Sequence, residues 1–241
     1  MYFCKMQNET HLLNYLNADL IEAGCDEAGR GCLAGPVVAA AVVLPRDFDC
    51  KELNDSKQLS DSKRRLLRPI IEEKALAWAV AFVDNETIDK INILNASFLA
   101  MSNAVRNLRL RPDLLLIDGN RFKSDLDIPF ECIVKGDGKF QSIAAASILA
   151  KTYRDDFMIE AHLSHPQYYW NKNMGYPTKQ HREAIKVCGI SCITQIACEI
   201  CRDAGEGALA QNVELAGKGI MLYAALPAID ALFSAIEGVI I

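Results

Sequence analysis

The sequence predicts an α/β layered domain, with a central mixed sheet flanked by helices and a C-terminal helical or irregular segment after it. Three observations carry this. Short apolar runs of strand character alternate along the chain with longer stretches of helical period. Apolar residues make up 51% of the 241 positions, enough to fill a sizeable core. No internal repeat or low-complexity linker interrupts that order.

Taken in order, residues 20–25 (LIEAGC) alternate at period two, and 37–44 (VVAAAVVL) form a continuous apolar run after Gly35 and Pro36. They read as two paired strands. Residues 51–74 interleave seven basic with five acidic residues and place Leu59, Leu66, Leu67, Ile70 and Ile71 at helical spacing. A surface helix with a basic, phosphate-contacting face is expected. Residues 75–83 set Leu76, Trp78, Val80 and Phe82 on one strand face, and 86–108 return to the helical period. Two further strands, LLLID and FECIVKGD, are predicted to end at Asp118 and near Asp137. The Ala-, Ile- and Leu-rich stretch 140–163 reads as a buried helix, and 178–187 as a short one capped by Thr178.

Charge and cysteines set outer bounds. A formal charge of −5 excludes a broadly basic coat for non-specific nucleic-acid binding, although one enzyme site needs only a local positive surface. Nine cysteines, an odd number at irregular spacing, fit reduced thiols rather than a disulfide framework. The opening MYFCKMQNETHLLNYLN lacks a basic-then-apolar export signal, so a cytoplasmic protein without a membrane partner is expected.

The chemistry concentrates where predicted strands stop. Asp26 with Glu27, Asp118 in IDGN and Asp137 in KGDGKF all fall at predicted strand ends, where open α/β sheets place ligands. Any one aspartate reads equally well as a turn former. Four carboxylates in one crevice repel one another unless hard cations neutralise them, so metal binding explains the set more economically. Two such ions about 3.5–4 Å apart clamp a phosphodiester for hydrolysis. Three glycines around Arg30 in EAGRGCLAGP would expose backbone amides to a phosphate or sugar, or merely bend the chain between strands.

At CDEAGRGCLAGPV the sequence resembles ribonuclease HII, the type 2 ribonuclease H family. LNDSKQLS, NILNASFLAM, LLIDGNRF, VKGDGKFQSIAAASILAKTYRDD and NKNMGYPTKQHREAI follow in the family's order, over about residues 20–190. The resemblance implies a ribonuclease H-like fold and an endonuclease, a metal-dependent enzyme using Mg²⁺ or Mn²⁺. Its substrates would be RNA:DNA hybrids and ribonucleotide-containing duplex DNA, its products would carry 3′-hydroxyl and 5′-phosphate ends, and a monomer is expected. The family's metal-binding, catalytic carboxylates fall on Asp26, Glu27, Asp118 and Asp137. Its substrate-binding residues fall on Gly29, Arg30, Gly31 and Tyr176, which would sense the ribose 2′-hydroxyl. Lys57 and Lys139 are candidate phosphate contacts, and Lys151, Arg154, Lys179 and Arg182 add positive charge around them. Asp155 and Asp156 read as surface ion-pairing residues, or Asp155 as a ligand orienter, and His165 and His181 as polar surface residues outside the mechanism.

The resemblance stops near residue 190. The expected organisation is therefore an extension at 1–19, a catalytic domain at 20–190 and an atypical tail at 191–241. Residues 199–241 hold two basic and six acidic residues, −4 of the total −5. A changed reading frame or divergence would each produce such a tail, and a non-catalytic hybrid-binding protein disabled by it is the alternative function. The four cysteines at 188–201 lack the spacing of common zinc modules, and Pro227, Asp230 and Glu237 interrupt the apolar end of the chain.

Overall fold

A computed structural model describes residues 12–50, 52–53 and 59–188. Lys57, residues 1–11 of the expected extension and the whole tail at 191–241 lie outside the described residues. By packing, the described chain divides into one unit of residues 12–164 with 174–176 and another of 165–173 with 177–188.

The first unit is built on strands β1 (Glu22–Ala28), β2 (Val37–Val43), β3 (Ala77–Val83), β4 (Leu114–Asp118) and β5 (Phe130–Ile133). Their order is β3-β2-β1-β4-β5. β1 pairs antiparallel with β2, and β2 with β3, whereas β1–β4 and β4–β5 are parallel. The sheet is mixed, as predicted, and β1 lies at its centre with the switch of strand direction on one side.

Helices cover both faces. On one, Cys25, Val37, Ala39, Leu115 and Ile117 pack against Ala96, Ala100, Met101 and Ala104 of helix α3 (Ile93–Arg106). On the other, Ala40 and Val42 meet Leu67 and Ile71 of helix α1 (Asp61–Lys74) and the alanine-rich start of helix α4 (Gln141–Ser164). Two-sided burial explains why β2 and β4 read as unbroken apolar runs rather than alternating ones.

β3 alternates as the sequence reading has it: Ala77, Ala81 and Val83 enter the α3-side core, Trp78 and Val80 are half-buried, and Leu76 and Phe82 are exposed. Several other local expectations need correction. The helical stretch after β3 is two helices, α2 (Asn85–Ile91) and α3, because Asn92 turns left-handed (φ 66°). Its side chain accepts hydrogen bonds from the amides of Leu94 and Asn95, both at 3.1 Å, which caps α3. The expected helix at 51–74 starts only at Asp61, behind the Ser60 cap. Its basic residues divide between core and surface. Arg64 is buried, Lys63 and Arg65 are exposed, and Arg65 and Arg68 pair with Asp156 of α4 at 2.7 and 2.6 Å, so part of the expected basic face is already engaged by a carboxylate.

The second unit holds the short helix α5 (Trp170–Asn173) and a helix over 179–188 that starts as predicted, with the His181 amide donating to Thr178 Oγ1 at 3.1 Å. His181 is not a surface residue. It is fully buried and accepts a 3.0 Å hydrogen bond from Trp170 Nε1 on Nε2, with Tyr168 stacked on Trp170, whereas His165 is exposed as expected. Among the described residues, five cysteines are free, and no helix is long and apolar enough to cross a membrane.

Candidate active site

Gly24 determines where the site forms. A Cβ there would lie 2.2 Å from the backbone carbon of Ser142, so only glycine lets the start of α4 rest directly on β1. Two residues along β1, Asp26 points to the same face, towards Ser147 of α4, whose side chain hydrogen-bonds its carboxylate. The β1–β4 register, last paired at Cys25 and Ile117, continues to set Asp26 beside Asp118.

Asp137 reaches them from a turn. β5 stops at Ile133, and Lys135 adopts a left-handed conformation (φ 56°) before the 3-10 turn Gly136–Gly138, so Asp137 does not end a strand as predicted. The Gly136 amide donates to Asp118 Oδ1 at 2.7 Å, which locks this turn to the end of β4. Asp26, Asp118 and Asp137 each offer a carboxylate oxygen, all within 4.8 Å of one another.

Glu27 stands apart from that trio. Asp26 and Glu27 lie inside β1, which runs on to Ala28, so strand alternation turns Glu27 to the other face. There Arg30 Nη1 holds its carboxylate at 2.9 Å. Glu27, Asp118, Arg30 and Arg121 edge an open recess floored by Leu94, Phe98 and Met101 of α3.

The electrostatics of these carboxylates favour a bound cation. Burial, then the charges of Glu27 and Asp118, push the Asp26 carboxyl well above the usual carboxylate range. Burial also raises Glu27, against the opposing pull of Arg30. Crowded, desolvated carboxylates of this kind suit a hard divalent cation that supplies the missing positive charge.

Beside the trio, the loop after β1 carries Gly29, Arg30 and Gly31. Gly29 has φ 112°, and a Cβ on it would sit 2.6 Å from both Pro36 O and Arg154 Nε; a Cβ on Gly31 would meet nothing within 4 Å. Tyr176 follows the turn Met174–Gly175, whose Gly175 carbonyl accepts from the Leu33 amide at 2.8 Å, and the residue is 39% exposed. Lys151 Nζ lies 5.5 Å from the Tyr176 ring centroid and pairs with buried Asp155 at 3.5 Å. Burial leads the upward shift of the Tyr176 hydroxyl and of the neighbouring Cys32 thiol.

Arg154 was expected to add surface charge near the site, yet it is 1% exposed. Its burial was readable. Ser147, Ala150, Arg154 and Met158 recur at spacings of three and four, all on the buried stripe of α4.

Known proteins resemble this chain in sequence and in fold. The family model for ribonuclease HII matches residues 23–196, and that for the stage III sporulation protein AC/AD family matches the shorter stretch 185–239. Ribonuclease HII of Parabacteroides distasonis is 65% identical over 180 residues, covering 75% of this chain and 90% of that protein. Among solved structures, ribonuclease H2 from Pyrococcus horikoshii aligns with a TM-score of 0.57 at 22% identity, over 82% of this chain and 98% of that one. Bst-RNase HIII in complex with Mn²⁺ aligns with a TM-score of 0.58 at 24% identity, over 83% and 66%. The fold of the chain is that of the ribonuclease H-like proteins.

Proposed function

Because the chain belongs to the ribonuclease HII family and is a ribonuclease H endonuclease, we propose that it hydrolyses the RNA strand of RNA:DNA hybrids and nicks duplex DNA at embedded ribonucleotides. The products carry 3′-hydroxyl and 5′-phosphate ends. The observation that carries the reading is the convergence of Asp26, Asp118 and Asp137 within 4.8 Å.

Those three carboxylates, with Glu27 at the neighbouring edge, are the residues that hold Mg²⁺ or Mn²⁺. When bound, two divalent ions supply an activated water and stabilise the leaving oxygen of a phosphodiester. The protein's own contribution is placement. The Asp118–Gly136 hydrogen bond keeps Asp137 opposite β1, and Ser147 orients the Asp26 carboxylate. Arg30 steadies Glu27, and its half-exposed guanidinium remains available to the substrate backbone.

Gly29, Arg30, Gly31 and Tyr176 read the ribose. Open space around Gly31 favours close approach of a sugar to the backbone, and the half-exposed Tyr176 ring offers a stacking face with a hydroxyl. Lys57 and Lys139 contribute phosphate contacts.

The test uses the full chain on duplex DNA containing one ribonucleotide. Nicking with Mg²⁺ or Mn²⁺, its loss in chelator, and ligation-competent 3′-hydroxyl and 5′-phosphate ends are expected. Intact duplex with either ion overturns the proposal, and retained hybrid binding without nicking would indicate the non-catalytic alternative.

A further inference from the structure

Arg154 is buried beside the site. Its buried guanidinium gives its hydrogen bonds to main-chain carbonyls: Nε to Pro36 at 2.9 Å, Nη2 to Ala34 at 2.9 Å and Nη1 to Met174 at 2.7 Å. Two of these carbonyls belong to the loop that follows Gly29–Gly31, and the third to the turn that carries Tyr176. One planar fork therefore spans both loops.

Three glycines crowd the same guanidinium. A Cβ on Gly29 would stand 2.6 Å from its Nε, one on Gly35 3.2 Å from Nη2, and one on Gly175 3.3 Å from Nη2. All three have positive φ, at 112°, 88° and 81°. Both loops are thus shaped to close around this side chain, at positions that L side chains rarely adopt.

We infer that Arg154 is the positioning residue for ribose recognition, fixing the separation between the Gly29–Gly31 backbone and the Tyr176 ring so that both reach one sugar. The inference rests on the ribose-reading role proposed above for those residues. It does not require Arg154 to touch substrate. Arginine suits the task because its donors diverge within one rigid plane, whereas a lysine ammonium is a single point that cannot reach three separated carbonyls in the same way.

A double-mutant cycle on the full chain tests it, with Arg154→Lys, Tyr176→Ala and the double variant assayed on the single-ribonucleotide duplex in Mn²⁺. Arg154→Lys should lower kcat/KM on the order of a hundredfold, the scale of a small displacement at a reacting centre. Mn²⁺ binding by calorimetry should stay near the parent value, and in the Tyr176→Ala background the lysine should cost almost nothing further.

Parent-like cutting by Arg154→Lys overturns the inference. So does a loss that multiplies undiminished with that of Tyr176→Ala, or a lysine variant that loses Mn²⁺ binding or its cooperative melt, since the role would then be general support of the fold. Parent-like cutting by Tyr176→Ala instead removes the ribose reading itself. An impaired Tyr176→Ala beside an unimpaired Arg154→Lys removes the Arg154 inference alone.

Discussion

At Asp26, the proposed cation binding and folding make opposite demands. Its carboxyl is raised by burial first and by Glu27 and Asp118 next, so the charged form is costly until a cation arrives. Asp26→Asn keeps the size and an oxygen for Ser147 but removes the charge. It should melt at the same or a higher temperature than the parent in chelator, while nicking falls by at least on the order of a hundredfold. A clearly lower melting temperature would show that the carboxylate supports the fold instead. The two glycines flanking Arg30 separate in the same way. Gly29→Ala forces a Cβ to 2.6 Å from Pro36 O at a φ of 112°, so it should lower the melting temperature, by about 2–4 °C for each kcal/mol lost. Gly31→Ala meets no protein atom, so its melting temperature should stay at the parent's while nicking weakens. Comparing melts with nicking for the two variants checks both halves. The sequence motif named these residues but carried no such distinction, because it does not say which glycine faces the protein.

Between elements, the contact that matters most is α4 on β1. Gly24→Ala would press a Cβ to 2.2 Å from Ser142 backbone, and backbone cannot swing aside as a side-chain tip can. Overpacking of this kind costs about 1–3 kcal/mol. Urea unfolding should show that loss, and nicking should fall further than stability explains because Ser147 shifts against Asp26. Unchanged urea midpoints would mean that α4 is looser on β1 than its packing implies. The long apolar helix and the strands LLLID and VVAAAVV were legible because two-sided burial leaves continuous apolar runs. Asn92, Lys135 and Gly136 were not. Asn92 and Lys135 act through a positive-φ backbone and Gly136 through an amide bonded to Asp118, none of which periodicity records, and so α2 and α3 read as one helix and Asp137 as a strand end. The pairing of Arg65 and Arg68 was hidden for another reason: their partner Asp156 is far away in sequence.

Across the whole molecule, the proposed cation ligation links proton and cation binding through the same carboxylates. The carboxyls of Asp26 and Glu27 are both raised, so between the ordinary carboxylate range and those raised values the folded, ion-free chain holds more protons than the unfolded one. Stability from these two groups is therefore full at low pH and lost as pH rises through their folded pKa values. Asp84 and Asp156 act in the opposite sense. Both are lowered, although burial opposes the shift at Asp156, and their contribution is present above the unfolded carboxylate range and lost in acid. Neither is among the four proposed cation ligands, so their effect is common to melts with and without the ion and cancels in the difference. What remains, if the proposed ligation holds, is competition between protons and the cation at Asp26 and Glu27. The rise in melting temperature produced by Mn²⁺ or Mg²⁺ should accordingly grow from mildly acid to mildly alkaline pH, as the ion no longer has to displace protons. Thermal melts in matched buffers, with chelator or with saturating ion, measure it directly, and a gain that is flat across that range would remove these carboxylates as the cation's ligands.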